Sequence, residues 1–574
     1  MRYFIPEWDD RIDPSYNFLT EEHSKSHESN AFSDYYMWEI FPQDKIPFDG
    51  VLVSRAKLEQ NKKKLEEITK SGIRSLLRLP EKLPLLADCG AWSYIGKDVP
   101  PYDPVEILNF YSSIGVDKAV TVDHLVVPKF QDKKEQRLRV TFENGVKGFE
   151  AWKRKYKETF VLYASVQGWD VDDYVRMIED YNKHGIETFA LGGLARSPTK
   201  EVMTLVDRIE SELKTRRIRI SGLHFFGLGR FPLLRRYAEL EERGVDVSFD
   251  TASWLRRAWL SGVNYYFMKD EKLTGYSAIR IPQTGKKRTG LRGEKKLSED
   301  TDFASVGRLE KQCLSSIREY GARQADLQTA IRSIMKYGEA VPTVRPEMKG
   351  DYERTLRDKP WETCGCEICR TAGVEVLIFR GNNRNRRRGF HNVYTIYHKV
   401  ITRPDLWPSL SEEPTQLDLK QLTELNGKVL VVVECTKKKL GYAKSTKTKA
   451  KNLYQGQIFK VARTYSESRK FDYVIISAKY GLLFPDDVIE GYDKVLRTRE
   501  DVEAIREQVE ERLSKILPNY DTVLVIGGKL YRAALRNLWN GRFVTLKSRG
   551  YGDMTHMLAE ATVKNVTPLS QFMP

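Results

Sequence analysis

Six short apolar stretches in this chain each close on small or polar residues, and helix-like segments separate them. They are LLADCGAW (85–92), AVTVDHLVV (119–127), FVLYASVQG (160–168), TFALGGLA (188–195), ISGLHFFGLG (220–229) and DVSFDTASW (246–254). Apolar runs bounded by polar turns read as strands of a parallel sheet covered on both faces. Repeated strand–helix alternation favours closure of such a sheet into a (β/α)8 TIM barrel. In that fold the carboxyl ends of the strands open onto one pocket. Asp88, Asp123, Gln167, Gly192, Gly193, His224 and Asp250 are therefore expected at a common mouth.

The segments between the strands have apolar residues near helical spacing: KLEQNKKKLEEITKSG (57–72), VDDYVRMIEDYNKHG (171–185) and KEVMTLVDRIESELKTR (200–216). Acidic Asp172 and Asp173 open the second of these, and Gly185 follows its end, as helix boundaries prefer. VLVS (51–54) begins the alternation, and YSAIRI (276–281) is the candidate eighth strand. Residues 1–50 look irregular and are expected to pack across one end of the barrel.

Three of the six cysteines fall within six positions, as Cys364-Gly365-Cys366-Glu367-Ile368-Cys369, with His391 and His398 downstream. Three thiolates and one imidazole make a closed tetrahedral zinc site, and closed sites are structural. His391 is the preferred fourth ligand because it lies in the helical segment FHNVYTIYH; His398 is the fallback. Zinc there is expected to brace the neighbouring RNRRR segment as a loop against phosphates.

A chain of 574 residues exceeds one ordinary core. The expected division is a barrel domain over 1–345, an inserted zinc-binding subdomain over 346–405, a linker over 406–425, and a smaller open α/β domain over 426–574. The last rests on KVLVVVECT (428–436), DYVIISAKYG (472–481) and DTVLVIGGK (521–529). A net charge of +16 favours a polyanionic partner without choosing between DNA, RNA and a membrane surface. Its basic residues cluster at 285–296, 380–389 and 437–451, which shifts the balance towards nucleic acid. The opening MRYFIPEWDDRIDP lacks a signal-peptide layout, and no apolar run is long enough to cross a bilayer. A cytoplasmic, reducing compartment is expected.

Taken together, residues 50–400 resemble the tRNA-guanine transglycosylase superfamily. The resemblance is carried by Asp88-Cys89-Gly90, by Val122-Asp123, by Val166-Gln167-Gly168, by Gly192-Gly193-Leu194-Ala195, by Phe249-Asp250, and by the three cysteines followed by histidine. It implies that Asp250 is the nucleophile and Asp88 the general acid/base. Asp123, Gln167 and Gly193 would read the purine edge, and the zinc region of this superfamily often dimerises. The sequence departs from the tRNA enzymes in places that tell against tRNA recognition, whereas the base-exchange residues remain. Thr251-Ala252-Ser253-Trp254-Leu255-Arg256-Arg257 follows the nucleophile, Asp-Ser-Gly has become Asp-Cys-Gly, and the zinc loop is shorter. No RNA-binding domain is recognisable at the C-terminus. The pattern looks like the DpdA-type branch, which places 7-deazaguanines such as preQ0 in DNA. Exchange of tRNA guanine and a non-catalytic, zinc-braced nucleic-acid binder are the competing readings. Cys89 reads as a small buried filler, and His224 equally as a packed histidine or a substrate contact.

The C-terminal domain resembles the uncharacterised YaaA-related α/β domains. The resemblance rests on Cys435-Thr436-Lys437-Lys438-Lys439, Leu453-Tyr454-Gln455-Gly456, Ser477-Ala478-Lys479-Tyr480-Gly481-Leu482 and Gly491-Tyr492-Asp493. Lysines at strand ends suit phosphate contact.

Overall fold

The computed structural model describes residues 1–215, 217–283, 302–341, 348–410, 415–439, 447–535, 543–548 and 550–563. The basic run 285–296 and residues 440–446 of the run 437–451 lie outside them. Two compact units, Met1–Trp407 and Pro408–Pro574, make up the chain.

Unit 1 contains a closed barrel of eight parallel strands in sequential order. They are β1 (Arg2–Pro6), β2 (Gly50–Ser54), β3 (Leu85–Asp88), β4 (Lys118–Val120), β5 (Val161–Val166), β6 (Thr188–Leu191), β7 (Gly222–Phe225) and β8 (Asp246–Asp250). Phe4, Leu52, Leu86, Val120, Tyr163 and Ala190 fill its interior, one residue from each of six strands. Large apolar side chains at these inward positions make the barrel a packed core rather than a pore.

The strand count differs from the sequence expectation at both ends. RYFIP, expected among irregular residues, is β1 and pairs in parallel with β2 and with β8, placing Phe4 opposite Asp250. YSAIRI, expected as the eighth strand, lies outside the barrel. Tyr276 ends β10 (Lys272–Tyr276), which pairs antiparallel with β9 (Tyr265–Lys269). Ile279 and Arg280 form β11, which pairs with β12 (Ile378–Phe379). The reason is that the ring already has its eighth member: once β1 bonds to both β2 and β8, no edge is left for a further strand.

Helices lie where their apolar spacing placed them. Val171–Lys183 is capped by the Asp170 side chain, which accepts from Asp173 N–H, and Thr199–Lys214 follows β6. The segment 57–72 is broken at Asn61, whose side chain caps the helix Lys62–Ser71.

The basic run 380–389 is not a phosphate-facing loop. It forms the start of the helix Gly381–Ile396, and its arginines point into protein. Arg384 pairs with Glu375 and Glu21, at 2.7 and 3.0 Å. Arg387 donates to the carbonyl of Asp13. Arg388 is buried and donates to the carbonyls of Ala258, Val376 and Ile378. These guanidiniums pin residues 13–21 and the region of the cysteine cluster together, because buried Arg must spend its donors on nearby acceptors.

Unit 2 is an open α/β sheet ordered β13-β20-β19-β14-β16-β17. Its strands are β13 (Thr415–Leu417), β14 (Val429–Glu434), β16 (Asp472–Ser477), β17 (Gly481–Leu483), β19 (Thr522–Ile526) and β20 (Phe543–Leu546); β15 (Lys447–Lys449) and β18 (Val488–Glu490) form a separate pair. All pairings within the sheet are parallel except β16 with β17. Central β14 is buried along its whole length, matching its continuous apolar sequence. Residues 415–424, expected as linker, instead give the edge strand β13 and a helix, Leu419–Glu424, with a capping box from Asp418 and Gln421. Their polar composition hid a strand short enough to need only one neighbour. Among the described residues no helix is long and apolar enough to cross a membrane.

Candidate active site

The carboxyl ends of β3, β4, β5 and β8 bring Asp88, Asp123, Gln167 and Asp250 to one edge of the barrel, and their hydrogen bonds divide them into two groups. Asp123, just beyond β4, is the centre of the first. Its Oδ2 accepts from Gln167 Nε2 at 2.6 Å and from the Ser165 hydroxyl at 2.8 Å. Its Oδ1 accepts from the Cys89 thiol at 3.1 Å. Tyr94 adds its hydroxyl to the Asp123 carbonyl and to Cys89 Sγ, at 2.9 and 3.0 Å. Burial raises the Asp123 carboxyl above its usual range, and the donors from Cys89, Ser165 and Gln167 partly offset that. Cys89 is thus a hydrogen-bonding member of the site, not a filler.

The turn after β6 leaves room for this arrangement. A side chain at Gly192 would place its Cβ 2.1 Å from Gln167 Nε2. Gly193 has φ +80°, a left-handed conformation that favours glycine. The Tyr174 hydroxyl holds the carbonyl of Gly192 at 2.7 Å. The two glycines therefore serve the placement of Gln167.

Asp250, 8% exposed, centres the second group. Gly227 N–H donates to its Oδ1 at 2.9 Å, and His224 Nε2 lies 3.4 Å from the same oxygen. His224 Nδ1 shares a 2.9 Å hydrogen bond with Ser248 Oγ. With 1% of its surface exposed, His224 sits beneath Asp250 rather than at the mouth. Burial lowers its pKa, so the imidazole is held neutral, although Asp250 opposes that shift.

Asp88 ends β3 opposite Ser54 of β2. Ser54 and Gly90 N–H beside its carboxyl favour the charged form, while Oδ1 is buried without a partner among the described residues. Burial, reinforced by the charges of Asp123 and Asp250, pushes its pKa up to about 7. The three carboxyl groups are thus close enough to feel one another. Exposed Trp8, Trp92 and Trp169 follow β1, β3 and β5, and the Arg196 guanidinium lies 5.1 Å from the Trp92 ring centre.

Sequence reasoning missed Ser54, Ser165, Ser248 and Gly227. Ser165 and Ser248 sit inside strands, where only the alternation of inward positions marks them, and Ser54 closes β2. Gly227 acts through its backbone, which leaves no trace in residue type.

The metal cluster is brought together as expected. His391 Nδ1 lies 3.5, 3.4 and 3.3 Å from the sulfurs of Cys364, Cys366 and Cys369. Ligands about 2.0–2.3 Å from a tetrahedral centre stand roughly 3.5 Å apart, so the donor set fits zinc. His391 Nε2 is held by the Tyr266 carbonyl at 2.7 Å, leaving Nδ1 for the metal. His398 contacts the Lys45 carbonyl through Nε2 and does not join the cluster.

In unit 2 the motif residues gather at the carboxyl ends of β14 and β16. The hydroxyls of Tyr492 and Ser477 are 2.8 Å apart, those of Tyr492 and Tyr454 3.0 Å. Lys439 Nζ lies 4.3 Å from the Tyr492 ring centre.

Comparison with known proteins gives matches to both characterised and uncharacterised proteins. A DNA-guanine transglycosylase of Salmonella montevideo is 29% identical over 423 residues, covering 70% of this chain and 96% of that protein. The family of unknown function DUF6884 matches residues 430–559. The uncharacterized protein YfjM of Bacillus subtilis strain 168 is 29% identical over 115 residues, 19% of this chain and 75% of that protein. A crystal structure of CdNal from Clostridium difficile in complex with mannosamine covers 62% of this chain and 99% of its own at 11% identity. Its TM-score of 0.23 is too low to carry an argument.

Proposed function

We propose that this chain, similar over 70% of its length to a DNA-guanine transglycosylase, exchanges a guanine in DNA for a 7-deazaguanine base, preQ0 in the first instance. The observation that carries the reading is the placement of three interacting carboxyl groups on one barrel rim, one of them with its pKa raised to about 7.

Breaking the bond between sugar C1′ and guanine N9 leaves positive charge on the sugar. In this reading Asp250 attacks C1′ with one oxygen and forms a covalent ester as the C1′–N9 pair of electrons leaves with the purine. Both contacts to Asp250 fall on Oδ1, which leaves Oδ2 to react. Asp88, protonated near neutrality, gives its proton to the leaving guanine. Ionised, it then takes one from the incoming base as that base attacks C1′ and displaces Asp250. Asp123 and Gln167 hold the heterocycle through its polar edge, with Gly193 beneath them. The same pocket holds both bases in turn, which gives ping-pong kinetics without ATP. The target nucleotide must first leave its stack, and the exposed tryptophans around the mouth offer faces on which unstacked bases rest. The cysteine–histidine site would hold zinc in a structural role, at about one ion per chain by metal analysis.

The test is incubation of the protein with preQ0 and either duplex DNA or tRNA, followed by nucleoside mass spectrometry. Modified deoxynucleoside that disappears in Asp250→Ala, with DNA binding retained, is the expected result. Modification of tRNA alone overturns the choice of substrate. Binding without exchange on either nucleic acid favours the non-catalytic reading.

A further inference from the structure

Unit 2 has a crevice that base exchange in the barrel does not use. The chain passes from β14 to β16 on one side, then crosses back to β19 and on to β20 on the other. Its connections therefore diverge between β14 and β19. In open parallel sheets, ligands bind outside the carboxyl ends of the strands at this point.

A cavity of about 220 Å³ lies on the β19 side of this point, over β19, β20 and β13, walled by Gln416, Val525, Arg532, Thr545, Tyr551 and Met554. Gln416, Thr545 and Val525 are cross-strand neighbours on β13, β20 and β19, so they share one face of the sheet. Thr545 is 1% exposed, and its hydroxyl has no hydrogen-bond partner among the described residues. A buried hydroxyl left in that state costs about 1–3 kcal/mol, which a ligand group would recover.

At the end of β14, Glu434 anchors two residues of the cavity wall. It is 5% exposed, and its Oε2 accepts from Gly528 N–H at 2.6 Å and from the Tyr551 hydroxyl at 3.1 Å. A Cβ at Gly528 would lie 2.1 Å from the Tyr551 hydroxyl, so only glycine lets the ring and the strand end meet. The anchored Tyr551 is nevertheless 48% exposed, presenting aromatic surface beside the opening. Arg532 supplies positive charge on the same wall.

We propose that this crevice binds a nucleotide, with the base against Tyr551, its polar edge towards Thr545 and Gln416, and its phosphate at Arg532. The wall chemistry selects that class. An inorganic anion would satisfy Arg532 and leave Thr545 unpaired. An apolar ligand would leave both unpaired. No carboxylate lines the cavity among the described residues, and neighbouring Glu434 has its Oε2 taken by Gly528 and Tyr551, which makes a poor cation site. The site is independent of the exchange reaction proposed for the barrel.

The test is photo-crosslinking of the full-length protein with 8-azido-AMP and 8-azido-GMP, mapped by peptide mass spectrometry. Label is expected on the peptide carrying Tyr551, reduced about tenfold by Thr545→Val and by Arg532→Ala. It should be competed by unlabelled nucleotide but not by equal inorganic phosphate. Gln416→Ala, at the rim, is the second variant should Thr545→Val lower the melting temperature. Asp250→Ala should keep the label on Tyr551 whatever happens in the barrel, so failure of one reading does not mask the other. Label confined to barrel peptides, label on Tyr551 that resists all three substitutions, or full competition by phosphate would each overturn the proposal.

Discussion

Asp88, the proposed general acid/base, would tie stability to chemistry through one proton. Unfolded, the group ionises near 3.8; folded, burial and the neighbouring carboxylates move it to about 7. Between these values the unfolded chain releases the proton first. The stability Asp88 contributes is therefore full below about pH 4 and lost as pH rises through 7, by roughly 1.4 kcal/mol for each pH step of one between those limits. Asp88→Asn has no charge to oppose. Relative to the parent it should gain a few degrees in melting temperature between pH 5 and pH 8, while base exchange is lost. Melting curves at both pH values check this, and a constant difference between the two proteins would mean that Asp88 titrates normally. At this scale much of the rim was legible in sequence, because a polar residue closing an apolar strand has few other reasons to be there. Cys89 was misjudged because thiol packing and thiol hydrogen bonding look alike in sequence; only the 3.1 Å contact to Asp123 separates them.

Among the elements, the helix Gly381–Ile396 shows where charge in a sequence misleads. Its arginines read as a phosphate-binding loop, yet Arg388 spends its donors on the carbonyls of Ala258, Val376 and Ile378. Arg388→Met keeps the volume and strands those acceptors. The expected cost is about 3 kcal/mol in unfolding free energy, with the salt dependence of DNA binding unchanged. Denaturant titration reads the first and binding at several salt concentrations the second; weaker DNA binding at full stability would return this arginine to the phosphates. Strand β1 was overlooked for a related reason. Five residues ending in proline carry little periodic signal, and the partner that fixes them, β8, lies at the other end of the barrel sequence. The cysteine–histidine cluster was easier to find, since its three cysteines lie close together in the chain.

For the whole molecule the dominant property is its net charge of +16. Binding of a polyanion by such a protein releases counterions, so affinity for duplex DNA should fall at least about tenfold between 50 and 200 mM salt. Asp250→Ala should show the same slope, because in the proposed reaction the carboxylate acts on the sugar and not on the phosphates. Fluorescence anisotropy with a labelled duplex measures both; a flat salt response would place the affinity in base contacts instead.

The ring closure between β1 and β8 has a consequence for biosynthesis. On a ribosome adding 5–20 residues per second, the first strand emerges about 240 residues ahead of its last partner and waits on the order of 10–50 s. Throughout that interval an apolar ribbon with open backbone groups is available to the wrong neighbour. Nascent chains of this protein should therefore depend on chaperones until the eighth strand has left the exit tunnel.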